Sequence, residues 1–497
     1  MLKISLKPAI SALAAVLSTL LAAQTGQIEA WVTLSDRSAL FEKQAATVSF
    51  TDRNSGRGGT PIVVDDKQRM QTIDGFGFAL TGGSAELLMK MNPAERSKIL
   101  RETFATDGNN IGVSCLRLTI GSSDLNSFVF SYNDLKEGDT DFELKKFTLA
   151  QDLNDVIPVM KEILAINPDI KIMSSPWSAP AWMKTNNNVR GGQLKKDCYA
   201  VYALYFVQYI QAMKENGITI DAITIQNEPL NSRNTPSMYW FENEQADFIK
   251  NHLGPALKKA GLLTKIILFD HNLDRPDYPL ALLSDPEVAS YADGSGFHHY
   301  AGDFEAMSLV HLARPDKNIY FTEQMVVERP GSRSIDISGQ VNRLIIGACR
   351  NWSKNVILWN LAADPLNDPH TDNGGCSMCQ GAITIDGNTV TRNIAWYTVA
   401  HASKFIRPGS IRIQSTARGD RTVALHEDEQ RPGAFRAAVV ENTNVLPNAA
   451  FLTPDGNIVM IVVNDTWQAD SFTIQHNGRF ASVSLPPGAA GTFIWKP

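Results

Sequence analysis

The sequence predicts an α/β fold: a (β/α)8 TIM barrel with an all-β sandwich side domain formed mainly by the C-terminus. Three observations carry this expectation. Between about Thr72 and Asn360, eight short apolar or β-branched runs alternate with longer segments of helical periodicity. After about Ile406 the texture changes to short alternating runs separated by Gly, Pro, Asn and Asp. The 497 residues leave room for a barrel of roughly 250–400 residues and a second module.

Along the chain, Lys3 and Lys7 precede an apolar run from about Ala9 to Ala23, with polar Gln24 and Thr25 after it. That run is shorter than the ~20 residues a bilayer span needs, so residues 1–23 read as an export signal and the mature protein as secreted or periplasmic, without an integral membrane segment. Residues 24–70 hold two strand-like runs, Ala46–Thr51 and Pro61–Val64, expected to complete the sandwich, and 52–60 reads as an exposed loop. The barrel is placed at 71–405. Its strands are expected at Thr72–Phe78, Gly112–Ile120, Ile170–Ser175, Ala222–Gln226, Lys265–Asp270, Gly296–His299, Asn318–Thr322 and Asn355–Asn360, with helices such as Ala94–Thr103, Leu153–Ile166 and Tyr199–Asn216 between them. Gly75-Phe76-Gly77 stands without the rest of a dinucleotide-binding fingerprint, so an open nucleotide-binding sheet is disfavoured. The sandwich is placed at 406–497, with runs at Thr422–His426, Phe435–Val440, Ile458–Val463, Ser471–Gln475 and Thr492–Trp495.

A net charge of −6 supplies no basic excess to meet phosphates, which excludes a nucleic-acid partner, and no attraction to an anionic membrane. Five cysteines are too few for a disulfide framework in an exported chain of this length. Cys376 and Cys379 form a C-x-x-C pair in a Gly-rich loop. Without a second pair, and with only His370 close by, a local disulfide or two free thiols is expected there rather than zinc.

A barrel presents its working groups at the C-terminal ends of its strands. Those ends carry Arg117 with Ser122, Ser123 and Asp124; Ser174 to Trp177; Gln226-Asn227-Glu228-Pro229; Asp270-His271-Asn272; His298-His299-Tyr300; Thr322-Glu323-Gln324; and Trp359-Asn360. Glu228 and Glu323 lie 95 positions apart, about three β-α units at ~30 residues each, which sets them on strands four and seven. Glycoside hydrolysis needs such a pair, one carboxyl to protonate the leaving oxygen and one to attack or stabilise the anomeric carbon. Asn227 can donate to a sugar hydroxyl, and Trp177, Tyr300 and Trp359 offer apolar faces to pyranose rings. Arg117 is expected to hold Glu323 ionised, which in turn raises Glu228. His299 is a further candidate substrate contact.

These residues resemble glycoside hydrolase family 30, the group that includes glucosylceramidases and β-1,6-glucanases. The resemblance runs from Gly75-Phe76-Gly77 and Leu116-Arg117-Leu118 through Ser175–Asn186, Asn227-Glu228-Pro229, His298-His299-Tyr300, Thr322-Glu323 and Trp359-Asn360-Leu361 to His401–Ile406. It implies a retaining enzyme with neither metal nor organic cofactor. It also implies Glu228 as acid/base, Glu323 as nucleophile, and Arg117, Trp177, Asn227, Tyr300 and Trp359 around the glucose. Two departures from glucosylceramidases are expected to reshape the glucose pocket: Gly82 where those enzymes carry an acid, and His299 where they carry tryptophan. The Asn373–Cys379 loop is similar to that of bacterial β-1,6-glucanases. The expected substrate is therefore a β-1,6-glucan; the alternatives are a glucosylceramide, a xylan, or a carbohydrate merely bound without catalysis.

Overall fold

In the computed structural model, residues 26–56, 61–329, 331–417, 421–427, 435–441 and 445–497 are described. The expected signal stretch 1–23 and positions 57–60 of the expected loop lie outside them. Among the described residues, no helix is long and apolar enough to cross a membrane.

Eight parallel strands close into a barrel in chain order: Gly75–Ala79, Cys115–Thr119, Lys171–Ser175, Ala222–Thr224, Lys265–Asn272, Ala292–His298, Asn318–Glu323 and Ser353–Leu358, the last pairing with the first. Every strand expected from the sequence is present. The first strand shows why its glycines are needed: a side chain on Gly77 would sit 1.8 Å from the Cys115 carbonyl oxygen on the next strand. Between the strands, helix Pro93–Phe104 begins with Asn92 capping the Ala94 N–H and Pro93 in its first turn. Helix Tyr199–Glu215 buries Tyr202, Tyr205, Phe206 and Tyr209 against the barrel, an aromatic layer that removes a large apolar area from water.

The second module is a ten-stranded sheet folded into a sandwich. Its order runs Glu42–Lys43, Gln27–Thr33, Ala490–Trp495, Ile458–Val463, Asn448–Leu452, Ile411–Ser415, Ile62–Thr72, Asp470–His476, Arg479–Leu485, with Val48–Ser49 also on Gln27–Thr33. Strands Arg421–Glu427 and Phe435–Glu441 form a separate pair. The chain start differs from the expectation. The run at 46–51 shortens to Val48–Ser49, while Gln27–Thr33, not expected as a strand, pairs along five residues with Ala490–Trp495.

One hydrophobic core spans both modules, joining barrel residues such as Phe78 and Leu118 to Trp31, Phe451 and Ile494 of the sandwich. At this seam the fully buried His401 is held between two hydroxyls, Nδ1 at 2.9 Å from Thr492 Oγ1 and Nε2 at 2.9 Å from Thr33 Oγ1. Lys404, one turn on, caps the carbonyls of Gly108 (2.7 Å) and Asn110 (2.9 Å).

Candidate active site

At the C-terminal rim, the fourth strand ends at Thr224 and the chain turns so that Glu228 adopts φ 47°, a left-handed backbone that a non-glycine residue adopts only under constraint. Two hydrogen bonds impose it: Asn227 N–H to Pro176 O (2.8 Å) and Glu228 N–H to Asp270 O (3.0 Å). Glu323 ends the seventh strand directly. The two glutamates, three strands apart, converge on one cleft of about 520 Å3. One carboxylate oxygen of each lies within 4.8 Å of the other and of a His298 ring nitrogen.

A buried ionic lattice fixes this geometry. Arg117 donates through Nη1 to Glu323 (2.5 Å) and through Nη2 to Asp270 and to Asn227 Oδ1, both at 2.8 Å. Asp270 also accepts from Thr224, Ser175 and Thr322. His298 Nε2 lies 3.0 Å from Asp270, while its Nδ1 lies 3.1 Å from Glu228 Oε1 and 3.8 Å from Glu323. Asn231 donates to Glu228 Oε2 at 2.6 Å, and Tyr300 O–H to Glu323 at 3.0 Å. Trp177 and Trp359 stack at 5.3 Å between centroids, with the Arg117 guanidinium 4.9 Å from the Trp177 ring. The buried Trp177 Nε1 has no acceptor among the described residues.

The resting acidities reverse the expected order. Burial pushes Glu228 up, but the hydrogen bond and charge of His298, helped by His271 and Asn231, pull it down to about 2. Glu323 is raised: burial, with the charges of Glu228 and Asp270, outweighs the pull of His298 and Arg117. The physical reason is distance and sharing. His298 sits nearer Glu228 than Glu323, and the Arg117 charge is divided between Glu323 and Asp270, whose own pKa falls far below the carboxylate range. Burial alone would lower His298; Glu323, Asp270 and Glu228 lift it to about 9.

Of the residues expected to bind substrate, Arg117, Trp177, Asn227, Tyr300 and Trp359 gather around the two glutamates. His299 does not join them. Its ring packs 4.3 Å from Phe304 and lies 3.5 Å from Arg343, because strand side chains alternate in direction and His299 shares the outward side of Phe297. His298 is the inward member of the pair, and that parity was readable in the sequence. Gly82 is no vacancy for a missing acid either. A side chain there would meet Asn126 Nδ2 at 1.9 Å, and Asn126 is tied to Ser123. The acid on the cleft wall is Asp124, buried beside both glutamates and pushed to about 8 by burial and by their charges. Cys376 and Cys379 are disulfide-bonded and line the same cleft. A second cavity of about 430 Å3 lies at the opposite, N-terminal end of the barrel. Its Asp74 and Asp221 are paired with Lys354 and Lys171 at 3.3 Å each, leaving no convergent carboxylates.

The Glycosyl hydrolase family 30 TIM-barrel domain matches residues 73–406, and the family's beta sandwich domain matches 433–493. The chain is 35% identical over 419 residues to an endo-1,6-beta-D-glucanase of Neurospora crassa, covering 82% of this chain and 85% of that one. It is 27% identical over 479 residues to the lysosomal acid glucosylceramidase of Mus musculus, covering 90% and 86%. Among solved structures, the endo-beta1,6-glucanase BT3312 superposes with a TM-score of 0.82 at 32% identity, over 95% of this chain and all of that one.

Proposed function

This chain belongs to glycosyl hydrolase family 30 and is a glycoside hydrolase, and on that footing we propose that it cleaves β-1,6-linked glucan with retention of configuration. Glu323 attacks the anomeric carbon, and Glu228 protonates the departing oxygen, then takes a proton from the water that hydrolyses the glucosyl-enzyme. The observation that carries retention is the separation within 4.8 Å between carboxylate oxygens; retaining sites hold their carboxyls ~5–5.5 Å apart and inverting ones ~6.5–9.5 Å.

The resting ionisation fits this chemistry through His298. Its Nδ1 and Glu228 Oε1 lie 3.1 Å apart, so a proton held on the imidazole passes to Glu228 along an existing hydrogen bond. Asp270 holds the other ring nitrogen throughout. The Glu323 carboxylate is held at both oxygens, Arg117 donating to Oε2 and Tyr300 to Oε1, and the two donors also steady it as a leaving group in the second step. Asn227 has its carbonyl oxygen engaged by Arg117, which leaves its NH2 for a sugar hydroxyl. Asp124, Trp177 and Trp359 complete the glucose pocket. The substrate reading rests on the endo-1,6-glucanases named above, and the basic-then-apolar N-terminal run supports export.

Product analysis on linear β-1,6-glucan tests this. Proton NMR should show the β-anomer first with wild type, and Glu323→Gln should be slower by at least about 10³-fold. The α-anomer appearing first would refute retention. An intact glucan beside a cleaved glucosylceramide would move the substrate to the lipid.

A further inference from the structure

A chain of contacts leads from Glu323 to the disulfide on the cleft wall. Tyr300 donates to Glu323 Oε1 at 3.0 Å, and its hydroxyl oxygen accepts the Met325 N–H at 3.0 Å. An N–H can only donate, so Met325 directs the tyrosine's own proton onto Glu323. Met325 is backed in turn. Cys379 Sγ lies 3.4 Å from its Sδ, and its backbone pairs with that of Trp359. Cys379 packs in one apolar cluster with Trp177 and Trp359, and Cys376 and Met325 lean on that cluster. We propose that the Cys376–Cys379 disulfide is a positioning device for the reaction: it holds Met325 and Trp359 so that Tyr300 and Glu323 stay aligned, and its reduction slows turnover without unfolding the protein. The inference rests on Glu323 being the nucleophile.

The fastening of the loop is the first support. Its first half is held by short hydrogen bonds: Thr371 N–H donates to Asp124 O (2.9 Å), and Asn373 O accepts from Thr235 Oγ1 (2.7 Å) and Arg190 Nη1 (2.9 Å). From Cys376 to Cys379 the hydrogen bonds to the rest of the protein, among the described residues, are long. Asn367 Nδ2 reaches Ser377 O at 3.3 Å and Asn360 Nδ2 reaches Cys379 O at 3.4 Å. The covalent link therefore fixes the half that hydrogen bonds leave loose. Ring size is the second support. The two cysteines are three residues apart, and so short a ring removes little freedom from the unfolded chain, so its effect is local rather than global. The third is what it backs. A methionine side chain is unbranched and re-packs into any gap beside it, so Met325 keeps its place only against a firm neighbour, and Cys379 is 3% exposed.

Reduction by dithiothreitol, a dithiol, breaks the Cys376–Cys379 bond. Two electrons and two protons pass to the cysteines, which become thiols, and the reagent closes its own S–S bond. The free cysteines Cys115, Cys198 and Cys349 are buried and already reduced. The test compares oxidised wild type, reduced wild type and the double variant Cys376→Ser with Cys379→Ser on 4-nitrophenyl β-glucoside. Reduction or double substitution should lower kcat about tenfold, a smaller misplacement than the ~1 Å that costs ~10²-fold, with Tm nearly unmoved. A looser Tyr300 gives the charged form of Glu323 less hydrogen bonding, so the acid limb of kcat/KM should move to higher pH. Oxidised glutathione should restore the reduced wild type and leave the double variant slow. An unchanged kcat and acid limb in the folded double variant overturns the proposal. So does a loss of kcat that tracks a fall in Tm with the limb in place, which is what a brace for the fold gives. Either result leaves the glycosidase chemistry standing. Failure of the underlying reading looks different: an undiminished Glu323→Gln removes both.

Discussion

Two histidines of this chain are equally and fully buried, yet one is charged and the other neutral at pH 7. His298, on the C-terminal rim of the barrel, is lifted to about 9; His401, at the seam between barrel and sandwich, is lowered to about 3. Burial pushes both down, because either imidazolium would lose its hydration. The difference lies in what converges on each ring. Three carboxylates come within 3.8 Å of His298, whereas His401 meets two threonine hydroxyls. The seam is a neutral polar pin with both nitrogens engaged. The rim is a store of charge that strands four, five and seven assemble together.

Removing the charged member should have the larger effect. His298→Gln is expected to lower kcat/KM by roughly 10²-fold or more, the scale of losing general acid–base support. Its diagnostic is the pH profile. The His298 charge lowers Glu323, so its loss moves the acid limb up. The alkaline limb, no longer set by the imidazole proton held to about 9, moves down to where Glu228 alone loses its proton: the bell should narrow from both sides. A slower enzyme with unmoved limbs would reduce His298 to a packing residue.

Asp124 sharpens the same contrast, since it is a rim carboxyl raised to about 8 rather than lowered. It is therefore protonated at neutral pH in the free enzyme, and Asp124→Asn should cost about tenfold in kcat/KM there, less than Asp124→Ala. Equal losses in the two variants would show that only the charged form matters.

The sequence made the barrel and the glutamates legible and hid this electrostatic contrast, for physical reasons. The eight strands carry their signal locally, in apolar runs, and Glu228 and Glu323 are marked by standing just past two of them. Strand Gln27–Thr33 carries no local signal because its partner, Ala490–Trp495, lies at the other end of the chain. Asp270 became the hub of the site only because Phe269 and Asp270 both take positive φ, 71° and 62°, which breaks the strand's simple alternation. The order of acidities depends on a difference of 0.7 Å between the two His298–glutamate distances, 3.1 and 3.8 Å, and no spacing in the sequence encodes that.

The neutral histidine gives the smallest and most separable effect. His401→Val strips both threonine hydroxyls of a partner in a buried seam, which costs about 2–3 kcal/mol and should lower Tm while leaving kcat of the folded enzyme unmoved. The sign of the pH dependence follows from the depressed pKa. Unfolded His401 binds a proton below ~6.5, whereas the folded ring stays neutral down to about 3. The unfolded chain therefore holds the extra proton between those values, and stability drains away as pH falls through that window. Wild type should show this loss, and His401→Val, having no ring to protonate, should show a shallower slope measured by thermal melts from pH 7 to pH 4. Because the seam lies apart from the glutamates, a His401→Val enzyme that melts normally but turns over slowly would break the comparison, by making the sandwich contact part of the catalytic geometry rather than a brace for it.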